Sequence, residues 1–284
     1  MPEGDTIFRA ARTLNLALAE QTVTSFESVL PRLSRVDVDH GVVGRSVEKV
    51  EARGKWLLMY FSGDLILLSH MLMSGSWHIY RPGETWQRSR YDMRVVVGTP
   101  KILAVAFKVP VAEFHTADTL ARRKGFNSVG PSMLAKQFDE AEIIARLRSR
   151  PELEVGISLL AQFLLSGIGN VYKSETCFTC GINPFRQVGT LTDEELKCLV
   201  SQARKFMLAN VSESSGPAIV TYVPMHRTTG RANPSERLWV YRRTGEPCRR
   251  CGAAIASRKQ GFDARTSFWC PQCQPMAHAK RASA

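Results

Sequence analysis

The apolar positions along the chain change their period about midway. In residues 5–20, Ile7, Ala11, Leu14 and Leu18 recur at spacings of four, three and four, the stripe of a helix with one buried face. β-like stretches follow: TVTSFESVL, SVEKVEARGKWLLMYF, LILLSHM, SWHIY, YDMRVVVG and KILAVAF, punctuated by Gly, Pro, Asn, Asp and Ser. Many short strands in succession predict an antiparallel sandwich or barrel. The first half therefore reads as one helix on a mostly antiparallel β domain. RRKGFNSVGPSML, polar and carrying two glycines and a proline, reads as a linker. Helical patterns then take over in FDEAEIIARLRSR, EVGISLLAQFLLS, NVYKSETCFTCG and LTDEELKCLVSQARKFMLAN. The second of these is almost wholly apolar and is predicted to be buried; in the fourth, Thr192 and Glu195 have the spacing of a capping box. Residues 211–237, rich in Ser, Pro, Gly and Thr, read as loop, and a short cysteine-bearing module follows. The predicted class is α+β and multidomain: an N-terminal helix plus antiparallel β-sandwich in 1–124, a linker in 125–133, a helical domain in 134–237, the cysteine module in 238–276 and a basic tail in 277–284.

Charge narrows the choice of partner. The 284 residues carry 38 Lys and Arg against 26 Asp and Glu, a net charge of +12. Such an excess favours a polyanion, nucleic acid or an acidic membrane surface. Between Arg242 and Arg281 nine basic residues face two acids, so over half of the excess sits in this one segment. No run approaches the roughly 18 apolar residues of a membrane span. Glu3 and Asp5 are the reverse of a basic signal-peptide start, so a cytoplasmic protein with no membrane partner is expected.

Seven cysteines without a secretory signal point to metal before disulfides. CRRC at Cys248 and Cys251 and CPQC at Cys270 and Cys273 are separated by eighteen residues, the spacing of a four-thiolate zinc site. A closed shell of four thiolates leaves no position for water, so one structural zinc ion is predicted. It would supply folding energy that about 30 residues cannot draw from a core. CFTC at Cys177 and Cys180 lies within a predicted helix with no second pair to complete a site; Cys198 stands alone, and packing is the expected role.

LLSGIGNVYKSE joins two predicted helices. Gly167 can take the left-handed conformation that ends the first, Ile168 can anchor the turn, and Asn170 can cap the second and present its amide. Backbone N–H groups at such a helix start can hold a phosphate. At the other end of the chain, MPEGD places a proline second. Once Met1 is removed, Pro2 offers a secondary α-amine, a group that titrates near about 8 rather than the roughly 10.4 of lysine. Such an amine can attack an electrophilic sugar carbon and collapse to an iminium, with Glu3 adjacent to move protons.

Taken together, MPEGD, RGKWLL, GIGNVYKSE, LWVYRRTGEPCRRCG and RTSFWCPQC resemble the formamidopyrimidine-DNA glycosylase and endonuclease VIII family of bifunctional base-excision repair enzymes. The motifs run from residue 2 to residue 273 in the family's order. The resemblance implies a catalytic β-sandwich domain, a helix–two-turn–helix DNA-binding domain and a zinc finger. It implies a monomer acting on damaged DNA, removing oxidised bases through a Pro2 Schiff base and cleaving the abasic strand by β,δ-elimination. Glu3 would be the acid/base partner of Pro2, and Lys55 would contact the phosphate beside the lesion and assist catalysis. Asn170 and Arg265 would grip backbone phosphates, and Tyr172 joins the DNA contacts. Met73, with Leu72 or Ser74 beside it, is the candidate to fill the stack vacated by the extruded base.

The stretch after KILAVAF, KVPVAEFHTADTL, lacks the Arg-Arg-Phe-Gly-like loop of formamidopyrimidine-type members, which tilts the expected substrate towards oxidised pyrimidines. HMLMSG is closer to the formamidopyrimidine-type wedge and keeps an 8-oxoguanine or formamidopyrimidine preference open. A non-catalytic zinc-containing DNA-binding protein, a helix-hairpin-helix glycosylase using an internal lysine, and an RNA-binding zinc ribbon are the other readings the motifs permit.

Overall fold

The computed structural model describes residues 2–212, 219–222 and 237–276; Met1, the expected basic tail 277–284 and most of the expected 211–237 loop lie outside them. The chain divides into two units, Met1–Val129 and Gly130–Ala284.

In the first unit the predicted stripe of Ile7, Ala11, Leu14 and Leu18 is the buried face of α1 (Gly4–Leu18), which packs on strands β2 (Val47–Arg53) and β3 (Trp56–Phe61). The Asn15 amide oxygen accepts the Val50 N–H at 2.7 Å, pinning the helix to the sheet. That sheet continues through β4 (Leu65–His70) to β8 (Val111–His115), in the order β2-β3-β4-β8. A second sheet runs β1-β6-β7-β5, made of β1 (Ser25–Ser28), β6 (Met93–Gly98), β7 (Leu103–Phe107) and β5 (Ser76–Tyr80). Every pairing is antiparallel.

Leu57, Met59, Phe61 and Leu67 from one sheet and Val95, Val97, Ala104 and Ala106 from the other share one core. The alternate residues Leu58, Ile66 and Leu68 are also buried, against Leu120 of α3 (Ala117–Ala121) and Phe126. WLLMYF and LILL are apolar without alternation because both faces of their strands are covered. Elements not expected from the pattern include α3, β8 and helix α2 (Pro31–His40), whose only buried residue is Leu33. The crossing from β7 in one sheet to β8 in the other takes only Lys108, Val109 and Pro110.

The second unit is helical, with a two-stranded hairpin near its end. Its helices are α4 (Glu140–Arg148), α5 (Val155–Leu160), α6 (Asn170–Thr179) and α7 (Asp193–Val211). The Thr192–Glu195 capping box forms as predicted at the start of α7. EVGISLLAQFLLS does not make one long helix. It breaks after Leu160, where the Gln162 amide donates to the carbonyls of Leu160 and Ile168 and its oxygen accepts the Gly167 N–H, each at 3.0 Å. The side chain holds the turn that the backbone alone would continue as helix.

The expected linker is packed. Phe126 is buried, and the Gly130 N–H donates to the Gln162 carbonyl at 2.8 Å. Cys198 does not stand alone either, nor is Cys180 merely packed: the two form a disulfide joining the end of α6 to α7. Their distance in sequence hid a pairing that the contact between α6 and α7 creates. Among the described residues, no helix is long and apolar enough to cross a membrane.

Candidate active site and nucleic-acid interface

In the first unit the candidate residues sit where elements begin or turn. Glu3 is the N-cap residue of α1, and its side chain is fully buried. The Ile7 N–H donates to the Glu3 carbonyl at 3.1 Å, so Glu3 and the half-buried Pro2 before it are fixed by the first helical turn. The positive end of the helix dipole favours a carboxylate at this place. Asp5, read in the sequence only as an acidic start, is also buried and pairs with Arg9 at 3.4 Å.

Lys55 occupies the two-residue turn Gly54–Lys55 between β2 and β3, where Arg53 opposes Trp56. Close by is His70 at the end of β4, whose ring meets Trp56 edge-on with 4.7 Å between centroids. Burial, then the charges of Lys55 and Arg123, pull the His70 pKa down to about 4. The ring is therefore neutral near pH 7, and its Nδ1 accepts the Leu72 N–H at 3.0 Å.

That bond opens the loop Met71–Gly75. The Gly75 N–H closes it onto the Met71 carbonyl at 2.8 Å, and a Cβ on Gly75 would stand 2.6 Å from that oxygen. Met71 is buried, while Leu72 and Met73 project outwards with 47% and 63% exposure. The loop thus holds two large apolar side chains in solvent, which a core role does not explain. His70 was missed in the sequence; its adjacency to MLMSG was the available signal.

In the second unit helix α6 organises the candidates. Gly167 has φ 104°, the left-handed turn anticipated for it, and Ile168 is buried. The N-cap residue is Gly169, one position before the expected Asn170. Asn170 is the first helical residue instead, and its amide donates to the Thr266 carbonyl at 2.8 Å. Among the described residues its Oδ1 has no hydrogen-bond partner. Tyr172 is fully buried in the helical core, so its side chain is not at the surface expected of a DNA contact; α6 is buried on all sides from Asn170 to Phe178. Arg265 is exposed at the first position of β10 (Arg265–Trp269), which pairs with β9 (Ala256–Gln260).

Glu175, on the same helix, is fully buried. Its carboxylate accepts the N–H groups of Trp239, Val240 and Tyr241 at 2.7, 2.9 and 2.8 Å and the Thr221 hydroxyl. Burial pushes its pKa up, and these four donors oppose the rise. Phe178, two turns along α6 from Val171, joins Val240, Ile255 and Phe268 in the core of the cysteine module.

The sulfurs of Cys248, Cys251, Cys270 and Cys273 all lie within 4.8 Å of one another. Two of the separations are 3.9 Å (Cys248 to Cys273) and 3.5 Å (Cys251 to Cys270). A tetrahedron with Zn–S bonds of about 2.3 Å needs about 3.8 Å between sulfurs, so the four residues fit one zinc ion. The N–H groups of Arg250 and Cys273 reach Cys248 and Cys270 sulfur at 3.4 Å, favouring thiolates. Buried Gln274 ties this knuckle to the helical part: it accepts the Cys270 N–H at 2.9 Å and donates to the Ile182 carbonyl at 2.7 Å. By contrast, burial pushes the Cys177 thiol up to about 12, consistent with the packing role expected of it.

Comparison with known proteins agrees with this architecture. Family models match in three places: the formamidopyrimidine-DNA glycosylase N-terminal domain at residues 1–110, its H2TH domain at 129–220, and the zinc finger found in FPG and IleRS at 245–275. A probable endonuclease 8 of Streptomyces coelicolor is 37% identical over 277 residues, covering 96% of this chain and 94% of the relative. A DNA-(apurinic or apyrimidinic site) lyase of Mycolicibacterium smegmatis is 34% identical over 274 residues, covering 96% and 99%. Among solved structures, Lactococcus lactis formamidopyrimidine-DNA glycosylase bound to abasic-site DNA superposes with a TM-score of 0.78 over 96% of this chain and 99% of that one. At 22% identity, that likeness speaks to the fold. With all three domain types in order and curated relatives matched along nearly their whole length, the chain belongs to the formamidopyrimidine-DNA glycosylase and endonuclease 8 family.

Proposed function

We propose that the protein is a bifunctional DNA glycosylase and abasic-site lyase that removes oxidised bases, with a preference for pyrimidines. The observation that carries the reading is a fully buried Glu3 at the start of α1, directly after Pro2. A carboxylate is seldom taken out of water without a task, and here it lies one peptide bond from the one secondary amine the chain can offer.

The chemistry runs in order. The Pro2 nitrogen, free once Met1 is removed, attacks C1′ of an extruded nucleotide; the C1′–N bond breaks and the base leaves with that electron pair. Glu3 supplies the proton that opens the sugar ring, leaving an iminium between Pro2 and C1′. The iminium acidifies C2′–H, and loss of that proton expels the 3′ phosphate. A second elimination expels the 5′ phosphate, and water releases Pro2. Lys55 on its tight turn would hold the phosphate beside the lesion, and Asn170 and Arg265 would hold others. Asn170 has a second amide hydrogen that could serve this purpose. Met73 and Leu72 would fill the vacated stack. Cys248, Cys251, Cys270 and Cys273 would hold the zinc, which supplies folding energy and takes no part at the sugar. The protein would act as a monomer on chromosomal DNA in the cytoplasm.

The pyrimidine preference is supported by the three-residue crossing Lys108–Pro110, which has no length for the gap-filling loop of formamidopyrimidine-type members. The Met71–Gly75 loop supports the second reading, a preference for 8-oxoguanine and formamidopyrimidines. Borohydride trapping on abasic duplex, followed by peptide mapping, tests the mechanism. A covalent adduct on the N-terminal peptide is expected, lost when one residue is added before Pro2. An adduct on an internal lysine, or none despite tight DNA binding, would remove the Pro2 mechanism. Cleavage of a panel carrying thymine glycol, dihydrouracil and 8-oxoguanine decides between the two preferences.

A further inference from the structure

One buried cation has no part in the mechanism above. Lys173 lies on α6 one turn after Asn170 and is fully buried. Its Nζ donates to the Ser267 hydroxyl at 2.7 Å. That hydroxyl donates to the Gln260 side-chain oxygen at 2.5 Å, and the Gln260 amide donates to Glu154 at 2.7 Å and to the Pro184 carbonyl at 2.8 Å. The chain runs from ammonium to carboxylate with every donor pointing the same way. In such a polarised series each bond strengthens the next. Even α5 is shaped around it: a Cβ on Gly156 would stand 2.2 Å from the Gln260 oxygen.

The geometry of the two ends gives the chain a purpose. Asn170 and Lys173, three apart, share one face of α6. Asn170 binds the Thr266 carbonyl and Lys173 binds the Ser267 side chain, the two residues immediately after Arg265. Lys173 and Arg265 also line one cavity of about 210 Å3 beneath the hairpin turn. The start of β10 is thus clamped at consecutive residues onto the first turn of α6.

We propose that Lys173 is a positioning residue for DNA binding: through Ser267 it fixes Arg265 relative to the N-terminus of α6, so that both engage the DNA backbone as one element. The proposal rests on the reading of Arg265 as a phosphate contact. Lys173 itself does not reach the DNA.

The test is a double-mutant cycle on binding to duplex containing a tetrahydrofuran abasic analogue, measured across a salt series with zinc content and thermal unfolding followed in parallel. Arg265→Ala and Lys173→Met should each weaken binding roughly tenfold, and the double variant should lose far less than the hundredfold product, because the two act through one contact. Each single variant should also lower the salt dependence by about one phosphate's worth. Normal binding by Lys173→Met, additive losses, or an unchanged salt dependence would overturn the proposal, since a merely structural lysine lowers stability without removing an ionic contact. If Lys173→Met loses its zinc, Ser267→Ala breaks the same chain with a smaller change and carries the same expectations. Normal binding by Arg265→Ala would overturn the phosphate reading together with the proposal, whereas a defective Arg265→Ala beside a normal Lys173→Met overturns the proposal alone.

Discussion

The two units solve the burial problem in opposite ways. The first is a sandwich with an apolar core between its sheets and a second apolar layer outside one of them. Its candidate residues sit on a helix start, a two-residue turn and a five-residue loop, whose ends the core fixes. In the second unit the cysteine module has a core of a few residues, several of them thiols or borrowed from α6. Its placement depends on buried polar groups with satisfied partners: Glu175, Lys173, Gln260 and Gln274. Apolar area tolerates small shifts, whereas a hydrogen-bonded carboxylate or ammonium does not. A surface proposed to match phosphate spacing would gain from the less forgiving kind of support.

Zinc removal should break this contrast most visibly. Chelation is expected to unfold the 245–275 segment, since site formation in such modules is worth on the order of 10 kcal/mol, and DNA binding should fall with it. Hydrogen exchange resolved by peptide should show the sandwich strands unchanged. Next in size, Glu175→Gln should destabilise the second unit by about 3 kcal/mol, because an amide replaces an acceptor among three backbone N–H donors. Chemical denaturation monitored by Trp239 checks this, with added zinc failing to restore the loss.

Opening the Cys180–Cys198 bridge closes a smaller gap. Its sequence separation of 18 corresponds to about 3 kcal/mol at most in the chain-entropy account, and the α6–α7 core persists without it. Cys198→Ser should lower the thermal midpoint of the second unit only, and dithiothreitol should reproduce that shift in the parent protein but add nothing to the variant. The remaining effect belongs to the first unit, is softened by the partial exposure of the ring, and shows only under acid conditions. His70 is held at a pKa of about 4, against about 6.5 when unfolded. Between these values the unfolded chain binds the extra proton, so stability falls as pH drops from about 6.5 to about 4. Protonation would also end the Nδ1 bond to Leu72. His70→Gln should flatten this part of the pH profile, and ring resonances followed by NMR should titrate near pH 4.

How legible all this was in the sequence depended on how local the cause was. The stripe of α1, the Thr192–Glu195 box, the zinc spacing and the left-handed Gly167 are written within a few residues of themselves. Helix α2 was not legible, because with Leu33 alone buried it has no stripe to read. Strand β8 is set by pairing with β4, some forty residues earlier in the chain, and α5 stops where a glutamine side chain closes the turn. Among the candidate residues, Glu3 starts α1 and Lys55 sits on the turn between β2 and β3. Tyr172 lies in the core instead, because α6 is enclosed on all sides by residues distant in sequence, which its motif does not show. The partners of Lys173 and Glu175 lie 94 and 64 residues away, beyond any pattern that spacing reveals.

That last separation bears on how the protein is made. When α6 leaves the ribosome, Glu175 and Phe178 have none of their eventual partners from residues 239–241, which are synthesised several seconds later at ordinary elongation rates. Until then a buried-type carboxylate and an aromatic side chain face solvent on a nascent helical domain. A chain interrupted before the cysteine module would keep that face open, making premature termination a route to aggregation or proteolysis rather than to a stable fragment.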